Sequence, residues 1–207
     1  THDRRGEDWQ FGSSAIKGAV KKADGNINIE QYASHEPDGS LCALATMCPS
    51  SSIWKRKIEE VVGRLENEAG VDGVYLDEIS GAAPLVCTDT THNHLPGGGD
   101  WFYREYDNLI GNLKARRPEN SCYMVECNAE QYMREADAFL TWHWIHSDMV
   151  PAFPIIYSRY VTLVGGNTGG KKKSDYTFFK SNVAQALLFG QQLGWINADI
   201  AEDTQRL

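Results

Sequence analysis

Apolar positions along the chain alternate between short continuous runs and longer stripes with helical spacing. Leu41 to Met47, Val74 to Leu76, Ser121 to Cys127 and Ala138 to Trp144 are short runs, the pattern of strands buried on both faces. Between them, Ile53, Trp54, Ile58, Val61, Val62 and Leu65 form a helical stripe that follows the potential N-caps Ser50, Ser51 and Ser52 and closes at Gly70. A second stripe, with Trp101, Phe102, Tyr106, Leu109, Ile110 and Leu113, follows Asp100 and ends before Pro118. Tyr176 to Gln191 predicts a further helix through Phe179, Val183, Leu187 and Leu188. Weaker patterns predict short helices near Ala15 to Lys22 and Ala129 to Glu135, a strand or hairpin arm over Asn26 to Tyr32, and a turn over His35 to Ser40. Pro151 to Val164 reads as one or two extended segments and Leu193 to Ile200 as a last strand. Ala82 to Gly99 carries no period at all, and a loop of that length in a compact domain is usually functional.

Strands alternating with helices predict βαβ units and a parallel sheet. The expected fold class is α/β, a TIM-type (β/α)8 barrel. A complete barrel takes about 250 residues and about six strands are countable here, so residues 1–207 are expected to form a single partial barrel lacking strands on its N-terminal side. A doubly wound open sheet is the other layout, but no G-x-G-x-x-G or P-loop supports it. The edges of an incomplete barrel would invite pairing with a second copy or with a separate piece of barrel.

Composition narrows the partners. A net charge of -8 with a pI near 5.2 disfavours nucleic acid. No apolar run reaches the roughly 18 residues of a membrane span. The chain opens Thr-His-Asp-Arg-Arg, which reads as a processed product or a fragment. Five cysteines cannot all pair within one chain, and none forms a C-x-x-C, so a structural zinc site of the usual spacing is not expected. Cys42, Cys122 and Cys127 read as small buried hydrophobes. The cysteines leave the compartment open, with a secreted or periplasmic setting favoured.

The chemistry centres on Gly70 to Gly81, a strand that ends on Asp77 and Glu78. Side chains alternate along a strand, so Val74 and Leu76 face one side while Gly73, Tyr75 and Asp77 face the other. In a parallel barrel Asp77 would stand at the carboxyl end, where such folds keep their active sites; the plainer alternative is an Asp that caps the following loop. The next strand also ends on a carboxylate, Glu126. Neighbouring strands lie about 4.8 Å apart, which allows the roughly 5 to 5.5 Å separation of a retaining glycosidase pair. Asp77 is then the nucleophile candidate and Glu126 the acid/base, acting on an oligo- or polysaccharide with no cofactor and no metal. Tyr75, Trp142 and Trp144 offer flat faces to a sugar ring; Asn128, His143 and Tyr157 offer hydrogen bonds to its hydroxyls. The Trp-His-Trp run also suits barrel core. Glu130 is a rival acid one helical turn beyond the strand, and Glu78 points away from Asp77 by strand parity.

Several segments together resemble a known family: Met47-Cys48-Pro49-Ser50, Val71 to Ile79, His92-Asn93-His94, Pro96 to Gly99, Glu126 to Glu130, and Leu140 to Trp144. They are similar to a bacterial family of barrel glycoside hydrolases of mostly unknown function and, more distantly, to the α-amylase-like and endo-α-N-acetylgalactosaminidase barrels. The likeness runs from about Gly25 to Trp195. It implies an Asp nucleophile after the fourth barrel strand and a Glu acid/base after the fifth, the order of Asp77 and Glu126; His92 and His94 read as residues that order their loop or touch the sugar. The chain departs from those barrels in lacking the opening strands and in having no carboxylate in Pro151 to Tyr160. It therefore implies only a lean towards α-linked substrates.

Two other functions fit the residues. His92 and His94 with Asp89, Asp77 and His143 supply the ligand types of a metal-dependent hydrolase. A truncated barrel can also bind glycan without turning it over.

Overall fold

The computed structural model describes residues 2–3, 15–141, 150–166 and 176–196, with backbone alone for residues 2, 3 and 176. It divides into two compact units, Thr1–Val71 with Ala83–Pro118, and Asp72–Ala82 with Glu119–Leu207.

The first unit contains an antiparallel sheet of three strands in the order β1-β3-β2: β1 (His2–Asp3), β2 (Ile29–His35) and β3 (Leu41–Ala45). The predicted turn between β2 and β3 forms, closed by the Glu36 N–H donating to the Ser40 carbonyl. Ala19, Ala45 and Met47 form a small core, with Ile27 and Trp54 packed on it. The run after β3 leads into helix α1 (Ser52–Asn67), and Gly70, at φ +68°, follows it in the left-handed conformation that glycine adopts without strain. Helix α2 (Trp101–Lys114) buries Phe102, Leu109, Ile110 and Leu113, as its stripe predicts. Leu65 of the α1 stripe is exposed instead.

The second unit contains a parallel sheet in simple sequence order: β4 (Gly73–Leu76), β5 (Cys122–Glu126), β6 (Ala138–Thr141) and β7 (Thr162–Gly165). Tyr123, Val125, Phe139 and Leu163 are almost completely buried, and all four residues of β6 are buried, as expected of parallel strands covered on both faces. A 3₁₀ turn (Glu130–Tyr132), helix α3 (Ala152–Tyr157) and helix α4 (Tyr176–Leu188) complete the described elements.

The fold is therefore α/β with a parallel sheet, and it differs from expectation in four places. The parallel strands number four among the described residues, because β2 and β3 close on each other as a hairpin and pair antiparallel. Residues 152–157 are helical, not extended; Pro154 lies in the first turn, where its missing N–H would have had no helical partner. Residues 193–196 form no strand, and only a single parallel bridge joins Gln192 to Val164. Cys122 is exposed and Cys42 half-buried, so of the three strand cysteines only Cys127 is buried.

Candidate active site

The parallel register of β4 and β5 builds the site. Tyr75 pairs with Met124 and Leu76 with Val125, so Asp77 and Glu126, each the next residue, leave adjacent strands at the same level. Strand parity puts Tyr75 on their side, and its phenol feels both. Burial, then the Glu126 charge, then a hydrogen bond donated to Asp77 push the Tyr75 hydroxyl well above the usual phenol range. Asp77 is exposed while Glu126 is buried. One carboxylate thus meets solvent and the other is held by protein.

The turn after β4 holds it. The Glu78 N–H donates to Glu126 Oε2 at 3.0 Å, and the Ser80 hydroxyl donates to the carbonyls of Glu126 and Cys127. Gly81 leaves the space that the carboxylate fills: a Cβ there would stand 2.5 Å from Glu126 Oε2. Glu78, Ser80 and Cys127 all have positive φ, at 65°, 67° and 56°. Left-handed backbone at non-glycine residues costs about 1 kcal/mol or more each, and such strain concentrates at functional sites. Glu78 lies beyond the end of β4 with positive φ, so strand parity does not extend to it, and parity misses that the Glu78 backbone orients the second acid. Ser80 and Gly81 were not legible at all, since their roles depend on a strand nearly fifty positions away.

Asn128, two residues beyond Glu126, has both amide atoms buried without a hydrogen-bond partner among the described residues. A buried amide left so is costly unless a ligand supplies its bonds. Tyr157, at the end of α3, donates to Glu130 Oε1 at 2.8 Å, and that bond raises its phenol. Tyr157 and the rival acid Glu130 thus occupy each other. Trp142, His143 and Trp144 lie outside the described residues.

His92 and His94 belong to the first unit, in the irregular loop before α2. Asp89 does not join them as a ligand. Its carboxylate binds Lys21 Nζ at 2.5 Å and the Thr91 hydroxyl at 2.6 Å; burial would raise its pKa, but these partners hold it well below the usual carboxylate range. The groups gathered with the two histidines are the thiols of Cys48 and Cys87. Burial pushes the Cys48 thiol up to about 12, which removes it as a nucleophile near neutral pH.

Comparison with known proteins gives the family of the chain. The family described as "Domain of unknown function (DUF6259)" matches residues 2–168. The chain belongs to the DUF6259 family. Two relatives both carry the name "Putative glycoside hydrolase". The one from Bacteroides thetaiotaomicron is 33% identical over 187 residues, covering 88% of this chain and 27% of that protein. The one from Monosiga brevicollis is 29% identical over 181 residues, covering 84% of this chain and 15% of that protein. This DUF6259 chain thus spans about a quarter or less of the length of these relatives. Among solved structures, α-N-acetylgalactosaminidase NagBb from Bifidobacterium bifidum, in complex with GalNAc, superposes with a TM-score of 0.58 at 15% identity, over 87% of this chain and 28% of the other. A cycloalternan-degrading enzyme from Trueperella pyogenes gives 0.52 at 11% identity, over 92% and 29%. At such identities the likeness is one of fold.

Proposed function

We propose that this chain carries the catalytic carboxylates of a glycoside hydrolase, and that its parallel sheet is part of a (β/α)8 barrel. The observation that carries the reading is the β4–β5 register, which delivers Asp77 and Glu126 to one level beside a phenol that senses both. The names of the two relatives and the fold likeness to two carbohydrate-active enzymes support it.

In this reading the exposed Asp77 is the nucleophile, oriented by the Tyr75 hydroxyl. Its oxygen bonds to the anomeric carbon as the glycosidic bond breaks, and Glu126 gives its proton to the departing oxygen. Glu126 then takes a proton from water, whose oxygen attacks the same carbon and releases Asp77, so the anomeric configuration is retained. A carboxyl held by the Glu78 N–H and confined by Gly81 suits proton transfer, which needs fixed geometry more than reach. Asn128 supplies hydrogen bonds to substrate hydroxyls. The substrate is an oligo- or polysaccharide, with α-linkages preferred.

The test is a panel of chromogenic α- and β-glycosides and natural polysaccharides, with the anomer of the first product followed by proton NMR. Turnover with retained configuration is expected. An inverted product would overturn the covalent role of Asp77. Absence of turnover across the panel, with glycan binding that persists in Asp77→Ala, would make the chain a binding module instead.

A further inference from the structure

The loop Ala83–Gly99 has no helix or strand beyond a single bridge between Cys87 and Gly97. Most of its residues face solvent. The buried ones are Cys87, Asp89 and His92; Cys87 packs with Cys48 and Val20, with Leu85 and Trp101 against them, while the other two are polar. Asp89 is accounted for by Lys21 and Thr91. The remaining two converge with His94 and with Cys48, which lies between β3 and α1. One ligand atom from each of the four lies within 4.8 Å of all the others.

The hydrogen bonds around this cluster leave lone pairs aimed inward. His92 Nε2 faces the Lys17 carbonyl at 2.9 Å and His94 Nδ1 faces the Leu95 carbonyl at 2.8 Å. A carbonyl only accepts, so both ring nitrogens are N–H donors, and in neutral imidazole the opposite nitrogen carries a lone pair. For His92 that atom is Nδ1, 3.5 Å from Cys87 Sγ. For His94 it is Nε2, buried and without any hydrogen-bond partner among the described residues. Backbone carbonyls that fix the tautomer from behind are the usual outer shell of a metal-binding histidine. Cys87 Sγ has a donor of its own: the Lys21 N–H reaches it at 3.5 Å.

We propose that Cys48, Cys87, His92 and His94 form a tetrahedral, structural zinc site. Bond lengths of about 2.3 Å to sulfur and 2.05 Å to nitrogen give a tetrahedral S···N edge of about 3.6 Å, against the 3.5 Å between Cys87 Sγ and His92 Nδ1. Two thiolates and two neutral imidazoles make a unit with Zn²⁺ that has no net charge, which suits a buried place. On binding, the two thiol protons leave to solvent and both sulfurs bond to the ion. Four protein ligands close the coordination shell and leave no position for water or substrate, so the site braces the loop and performs no hydrolysis. The metal is thus a cross-link between the β3–α1 junction and a loop that has no helix or strand of its own. This proposal stands apart from the assignment of Asp77 and Glu126.

Elemental analysis of the full chain, purified from zinc-supplemented medium and dialysed, is expected to give about one zinc per chain. Cys87→Ser and His94→Ala should each lose it, while Cys42→Ser and Asp77→Asn should keep it. Should the ligand variants fail to fold, wild-type protein decides alone. Adding zinc to apo-protein should protect two of its five thiols from a thiol reagent, and cobalt should produce a thiolate charge-transfer absorption. Less than about a tenth of an equivalent after zinc reconstitution, or the same thiol count with and without metal, would overturn the proposal.

Discussion

The tip of the parallel sheet and the cysteine–histidine loop both gather polar side chains, but by opposite means. At the sheet tip, regular backbone does the gathering. Strand register sets Asp77 level with Glu126, and a four-residue turn holds the second acid through one N–H and one missing Cβ. In the loop there is no register to use. Cys48, Cys87, His92 and His94 converge on irregular backbone, and their convergence is itself what would hold that backbone once an ion joins them. The lesson is that a sheet positions reactive groups with stability to spare, whereas the loop depends on its polar groups for its own order. Changes at the sheet tip should therefore lower turnover and spare the fold; changes in the loop should lower stability first.

The sharpest way to break that contrast is to remove the acids. Asp77→Asn and Glu126→Gln should each lower kcat by about 10³-fold or more, with an unchanged circular dichroism spectrum and melting temperature. Wild-type turnover in either variant would end the assignment. Zinc chelation should have the opposite profile: a fall in melting temperature on the order of 5 to 10 °C, reversed by added zinc. A chelator without effect would place the loop on the same footing as the sheet. Gly81→Ala pushes on the flexible end of Glu126 and not on backbone, so the fold should survive while kcat falls about tenfold through misplacement of the acid. The smallest effect is expected from Tyr75→Phe, a loss of about threefold to tenfold in kcat. Its phenol is raised above the ordinary value, so it stays protonated at any pH where an unperturbed tyrosine does; the alkaline side of the pH–rate profile should be the same in this variant and in wild type.

Much of the second unit was readable from local pattern. The strands containing Val74 and Val125 and the acids at their ends follow from short apolar runs, and parity put Tyr75 on the acids' side. The turn that serves Glu126 was not readable, because nothing in the string Glu-Ile-Ser-Gly says that its amide and its empty space will meet a residue of the next strand. The metal ligands were hidden for a related reason. Cys48 and Cys87 stand far apart in sequence, with no C-x-x-C, and the His92-x-His94 pair alone suggested a different partner set with Asp89.

By itself the order of residues determined the helices α1 and α2, the parallel strands β4 to β6 and the carboxylates at the ends of β4 and β5, since periodicity, glycine stops and strand ends are encoded within a few positions. Only the tertiary structure decided that β2 and β3 close antiparallel, that residues 152–157 coil, that Tyr157 is taken up by Glu130, and that two thiols meet two imidazoles. Each of those outcomes rests on which distant groups come into reach. Reach depends on the path of the whole chain, whereas a local pattern constrains only its own few residues.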